Sequence, residues 1–279
     1  MADDDTSPRA ADPPASGSDA APAVRQPPPE TRRSIGIEIV IVLLFTFGLS
    51  GLSSILGLLR TWLEARARGE SLGQQAVALS TNQSAISLID FALQLLPIIR
   101  LCAWAALVTY LLWRAGHHLN RIGFRWRRTD ILHGLGLAAL IGLPGLAFYL
   151  VAVAAGFNLT VLPTALDADW WRVPVLIGQS IANALAEEIL VVAYLMTRLN
   201  DLGWSNRRAL VSSALLRGSY HLYQGLGGGV GNLVMGLVFG AYWLRYRRVW
   251  PLVIAHAAID IVAFVGYALL RDRLTWLPG

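Results

Sequence analysis

Three pairs of ionisable residues stand inside otherwise apolar stretches. Glu187 and Glu188 interrupt "IANALAEEILVVAYLMTRLN", Arg217 and His221 lie in "LLRGSYHLYQG", and His256 and Asp260 lie in "IAHAAIDIVAF". An ionised carboxylate in hydrocarbon is expensive, and one partner does not fully offset two adjacent carboxylates. Arg217 and His221 are four positions apart, as are His256 and Asp260, so on a helix each pair shares a face. A layer that combines Glu, His, His and Asp can activate water. One carboxylate or imidazole takes the proton, and the others orient the water or stabilise a developing oxyanion.

The elements that must carry these residues are long apolar segments. Seven are read, at about Ile35–Leu59, Ile86–Trp113, Ile131–Gly156, Val173–Thr197, Ala209–Leu226, Val230–Leu244 and Val249–Leu270. Most are near the ~20 residues a membrane-crossing helix needs. The fifth and sixth are shorter and are joined by the Gly-rich hairpin "GLGGGVGN". Depth along each helix follows from a rise of about 1.5 Å per residue. Glu187 is about 16 Å from Arg198, and His221 is about 20 Å from Arg208. His256 and Asp260 are about 12 and 18 Å from Arg248. Three helices therefore bring carboxylates and imidazoles to one level. A lone histidine in such a helix more often makes an interhelical hydrogen bond than chemistry, and Asp260 can serve simply to satisfy His256. The whole set at one depth favours function, because unpaired charge there is costly. Asp90 and Arg100 read as structural, with Arg100 pairing inside the bundle, and Trp170–Trp171 reads as an interfacial belt.

Composition agrees with a membrane protein. Of 279 residues, 55% are hydrophobic and only 15% charged, against roughly a quarter charged in a soluble domain. The mean hydropathy is +0.51. The net charge of +5 comes with arginine and no lysine, a bias that fits a GC-rich genome, and it points to cytoplasmic loops, not to nucleic acid. The single cysteine, Cys102, has no internal partner. Residues 1–34 form a Pro/Ala/Asp-rich tail that reads as disordered, and 35–279 form the integral membrane domain. No cleavable signal peptide is read at the polar start.

Arginine placement sets the expected orientation. "RAGHHLNRIGFRWRR" follows the second segment, "RLNDLGWSNRR" the fourth and "RYRR" the sixth, while the loop after the third is acidic and aromatic. The positive-inside rule puts the N-terminus and those three loops in the cytoplasm. Leu59 to Ala85 is then an outer loop, read as an interfacial amphipathic helix.

With these residues in place, the sequence resembles the CPBP family, the CAAX-protease and bacteriocin-processing (Abi) intramembrane enzymes. The family signature has Glu-Glu followed by Arg four positions after the second Glu, then Phe-x-x-x-His, then His-x-x-x-Asn or Asp. Here these are "EEILVV", "RGSYH" and "HAAID", with "VWPLVIAHAAID" close to the usual lead-in. The likeness covers about 173–265. It implies an all-α polytopic bundle in a membrane, for a bacterial member the plasma membrane. It also implies an endopeptidase that opens to the cytoplasm and acts on a peptide or membrane-protein substrate. By the resemblance, Glu187 and His221 activate water, His256 and Asp260 stabilise the oxyanion or help hold a metal, and Glu188 supports them. A divalent ion such as zinc is implied, with Glu187, His221 and His256 as candidate ligands, yet the compact two-His spacing of a zincin is missing. Two positions depart from the signature. Val192 stands where the family has Arg, and Arg217 stands where it has Phe. Arg217, one turn from His221, is expected to supply the missing cation to Glu188. The alternatives are a proton- or ion-coupled transporter using the same carboxylates and histidines, and a non-proteolytic immunity or scaffold relative.

Overall fold

The computed structural model describes residues 30–270 and Arg273. Most of the expected N-terminal tail lies outside the described residues. The chain is an all-α bundle. Helix α1 (Arg32–Phe45) is capped by Thr31, whose side chain accepts from the Ser34 backbone amide at 3.2 Å. Helix α2 (Phe47–Ala67) continues it after a 52° bend. At that bend the Thr46 hydroxyl donates to the Val42 carbonyl at 2.6 Å, the back-bonding that deflects helices. There follow α3 (Ser87–Arg114), α4 (Thr129–Ala154), α5 (Arg172–Asp201), α6 (Asn206–Tyr220), α7 (Leu226–Tyr246) and α8 (Trp250–Leu270).

Five of these helices are long and apolar enough to cross a membrane, and six spans result if the bent α1–α2 pair is one. The fifth expected segment differs in its bounds. It forms α6, which has 15 residues and stops at Tyr220. His221 is its C-cap, and a short 3-10 turn, Leu222–Gln224, leads to Gly225 at φ 111. That left-handed value is open to glycine at little cost. The Leu59–Ala85 stretch is not an interfacial amphipathic helix either. Its first part extends α2, and the rest forms a 3-10 turn (Leu72–Gln74) and strand β1 (Ala76–Ala78). β1 pairs in parallel with β2 (Thr160–Leu162), Ala76 opposite Thr160.

Contacts between loops define two ends of the bundle. At one, His117 Nε2 meets Asp201 at 2.9 Å and Arg198 Nε donates to Glu38 at 2.9 Å. There too, the Trp243 indole donates to the Ile122 carbonyl at 2.9 Å, and Arg248 binds Asp130. The three arginine-rich loops and the start of α1 meet here. At the other end lie the strand pair, a Ser87–Asp169 hydrogen bond of 2.7 Å and the Leu159 amide bonded to the Gln224 carbonyl at 3.1 Å. Successive passes therefore alternate in direction, with α1–α2 counted as one.

Helix α5 is the inner helix, and its burial is lopsided. Every residue in 186–199 is buried, on the half nearer the arginine end. The main core, including Leu190, Phe239 and Trp243, surrounds that half. The other half of α5 alternates between buried and partly exposed positions.

Residues that the sequence places outside the site behave differently from one another. Asp90 is buried and accepts from the Gln83 amide at 2.8 Å. Arg100 does not pair inside the bundle; it is exposed, with its guanidinium 5.6 Å from the Trp104 ring. Trp170 is exposed as an interfacial residue should be, whereas Trp171 is buried and donates to Ser87 at 3.0 Å.

Candidate active site

Glu187 and Glu188 mark the point where α5 changes geometry. The helix is α-helical through Glu187 and π-helical over Glu188–Tyr194. Such wide turns concentrate at functional sites. Neighbouring side chains on a helix point about 100° apart, so the two glutamates face different partners. Glu187 faces the end of α6. Its Oε2 accepts from the Tyr220 hydroxyl at 2.6 Å, and its Oε1 lies 3.9 Å from His221 Nε2. Glu188 Oε1 faces α6 and α8 together, accepting from Arg217 Nη2 at 2.7 Å and meeting His256 Nδ1 at 2.7 Å.

Arg217 is fully buried and sits between the two carboxylates, with Nη1 3.9 Å from Glu187 Oε2. Its guanidinium also lies 5.8 Å from the Phe239 ring. The contact with Glu188 is the one expected from the sequence. Val192, where the family signature has Arg, is fully buried in the apolar core. The cation thus reaches the glutamates from α6 and not from the same helix. Among the described residues, Oε2 of Glu188 and Nε and Nη1 of Arg217 have no hydrogen-bond partner. That is a considerable cost for a buried charged cluster, and stability alone is weak grounds for keeping it.

The histidines have distinct surroundings. His221 Nδ1 is 3.0 Å from the Arg217 carbonyl, which can only accept. Nδ1 therefore carries the proton, and in the neutral ring Nε2 presents a lone pair toward Glu187. His256 has carboxylates at both ring nitrogens, Glu188 at Nδ1 and Asp260 Oδ2 at 3.6 Å from Nε2. Its close partner is Glu188 on another helix, not Asp260 on its own.

Asn183 and Tyr220 belong to the cluster and were not singled out from sequence. Asn183 Nδ2 is 3.3 Å from Asp260 Oδ2 and 3.5 Å from His256 Nε2. It precedes Glu187 by one turn on the same face, a spacing that could have drawn notice. Tyr220 adjoins His221, and its ring stacks on Phe47 of α2 at 4.6 Å. Phe47 in turn meets Trp104 of α3 edge-on at 5.4 Å. The structure thus gathers Glu187, Glu188, Arg217, His221, His256 and Asp260 in one contiguous network.

The donor set does not fit a metal ion. Glu187 and His221 face each other, but His256 turns Nδ1 to Glu188 and Nε2 to Asp260, and Arg217 occupies the space beside both glutamates. Among the described residues no three His, Cys, Asp or Glu side chains are grouped to hold one.

Residues 169–262 match the family described as type II CAAX prenyl endopeptidase Rce1-like. This segment is similar to the CPBP/CAAX-protease family. The match covers about a third of the chain and contains all of the polar network described above. No curated protein and no solved structure matches the chain. At the family level the match supports a CAAX-type intramembrane protease, and the long apolar helices support an integral membrane protein.

Proposed function

We propose that this CAAX-protease relative is an intramembrane endopeptidase in which Glu187 and His221 together activate the water that attacks a peptide carbonyl. The single observation that carries this reading is the 3.9 Å separation of Glu187 Oε1 and His221 Nε2. It is too long for a direct hydrogen bond and short enough for one water to contact both. Tyr220 holds the other oxygen of Glu187, so Oε1 is the one directed at the water. In the proposed step the water oxygen bonds to the carbonyl carbon and its proton passes to Glu187. Collapse of the tetrahedral intermediate breaks the C–N bond, and the proton is returned to the leaving amine.

Donors for the oxyanion are needed beside this pair. Asp260, as a carboxylate, accepts and cannot donate. Asn183 has an N–H group beside Asp260, and His256 faces a carboxylate oxygen with each ring nitrogen, Nε2 on the Asn183 side. Asn183 and His256 are therefore the proposed oxyanion donors, with Asp260 orienting both. Arg217 pairs with Glu188 and holds it against His256. No step is assigned to a metal, because the donors do not converge. The substrate class is a peptide or a membrane-protein segment, acting within a lipid bilayer.

The test is cleavage of membrane-protein substrates by the chain reconstituted in proteoliposomes, with Glu187→Gln and His221→Ala as controls. Cleavage by the wild type that both substitutions abolish supports the reading. Proton-coupled ion flux without cleavage would instead favour a transporter, and neither activity would favour a silent relative.

A further inference from the structure

The two members of the water-activating pair are held in different ways. Glu187 stands inside α5, buried and bonded to the Tyr220 hydroxyl. His221 stands at the C-cap of α6, where the helix gives way to the Leu222–Gln224 turn and then to α7. Backbone groups at a helix end lack intrahelical partners, so a residue there is placed by whatever fixes the chain beyond it. The position of His221 therefore depends on the turn that follows it.

That turn is close-packed. The Gln224 amide donates to the His221 carbonyl at 3.0 Å. A Cβ on Gly228 would come within 3.1 Å of the same carbonyl oxygen, and a Cβ on Gly218 within 2.9 Å of the Gly229 carbonyl oxygen. The end of α6 and the start of α7 thus meet backbone to backbone around His221. The N-cap of α7 is Gly225, at φ 111 and ψ 178, a conformation open essentially to glycine alone. A glycine N-cap has no side chain to accept from the free amides of the first turn.

Asn158, in the loop between α4 and β2, supplies what Gly225 lacks. Its Oδ1 accepts from the Gly228 amide at 2.8 Å, and Gly228 is the third residue of α7, the one an N-cap side chain commonly serves. Its Nδ2 donates to the Leu159 carbonyl at 2.9 Å, and the side chain is buried. The backbone on either side joins in. The Leu159 amide donates to the Gln224 carbonyl at 3.1 Å, and the Leu226 amide to the Phe157 carbonyl at 3.3 Å. The loop is itself anchored by the strand pair. The Thr160 amide donates to the Gln75 carbonyl at 2.8 Å, and the Val161 amide to the Tyr149 hydroxyl at 2.9 Å.

We propose that Asn158 is a positioning residue: it caps α7 in place of Gly225 and so holds the turn that sets His221 against Glu187. The effect on cleavage rests on the peptidase reading above, whereas the hold on His221 rests on these hydrogen bonds alone. Asn158 lies before the family-matched segment 169–262, so the support of the site reaches back to the α4–β2 loop and gives the strand pair a purpose.

The test combines kinetics with ¹⁵N NMR of the full chain labelled at histidine, in the same detergent. The His221 and His256 ring signals are assigned by their loss in His221→Ala and His256→Gln. In Asn158→Ala the His221 signals should shift while those of His256 stay, and kcat should fall by about 10–100-fold with KM unchanged. Asn158→Asp keeps an acceptor for the Gly228 amide at a helix N-terminus that favours a carboxylate, and should return both readouts close to wild type. Asn158→Ser, whose shorter side chain withdraws the acceptor, replaces Asn158→Ala should that variant fail to accumulate. The proposal is overturned if the His221 signals do not move, if both histidines move alike, if Asn158→Asp restores neither readout, or if a shifted His221 leaves kcat at the wild-type value. A wild-type chain that cleaves nothing would fail the peptidase reading, and the histidine signals alone would then decide whether Asn158 holds His221.

Discussion

His221 Nε2 and Glu187 Oε1 stand 3.9 Å apart, brought from the end of α6 and the middle of α5 to within reach of a single water molecule. Because the pair acts on one water, loss of either member should be as damaging as loss of both. Glu187→Gln and His221→Ala are each expected to lower cleavage by about 10²–10⁴. The double variant should be little worse than either single one. Kinetics on reconstituted protein, with insertion checked by protease protection, measures this. Additive losses would show that the two residues act separately.

Arg217 should matter to folding as well as to activity. Removing one partner of a buried ion pair costs about 3–5 kcal/mol, and Arg217 is the cation for a fully buried Glu188. Arg217→Leu is therefore expected to lower both thermal stability in detergent and cleavage. Adding Val192→Arg, which restores the family's cation one turn beyond Glu188, should recover part of each. A double variant no better than Arg217→Leu would mean that the cation cannot be moved between the two helices.

Asn183 gives a more selective expectation. Loss of one oxyanion donor typically reduces kcat by about 10²–10³ with modest change in KM. Asn183→Ala should behave in this way while melting close to wild type, since the side chain is only partly buried. An Asn183→Ala effect confined to KM would assign the residue to substrate binding instead.

The divergence of His256 from Glu187 and His221 predicts insensitivity to chelation. Activity of purified protein should survive dialysis against EDTA and 1,10-phenanthroline, and elemental analysis should find far less than one zinc per chain. Stoichiometric zinc whose removal abolishes cleavage and whose return restores it would contradict the donor geometry described above.

Much of the site was legible in the sequence because its rules are one-dimensional. The cost of charge in hydrocarbon singles out Glu187, Glu188, Arg217, His221, His256 and Asp260. The rise per residue places them at one level. The vacated Arg position at Val192 pointed to Arg217 as the substitute, and the structure has that guanidinium on Glu188. Asn183 and Tyr220 escaped notice because neutral polar residues are common in such helices and their roles depend on which neighbour faces them. The π-helical turn at Glu188–Tyr194 has no local sequence mark, since packing against α3 and α6 decides it. The strand pair was missed because β1 and β2 are three residues each and are paired across a long separation. Arg100 was misread because nothing local distinguishes an arginine that pairs from one that turns outward.

The central claim is that Glu187 directs a water at a peptide bond. Its most direct test is mass spectrometry of new peptide termini in H₂¹⁸O, comparing membranes that contain the wild-type chain with membranes that contain Glu187→Gln. The account predicts a set of new C-termini that carry ¹⁸O in the wild-type sample and are missing from the Glu187→Gln sample at equal protein level. Identical sets of termini in the two samples would contradict it.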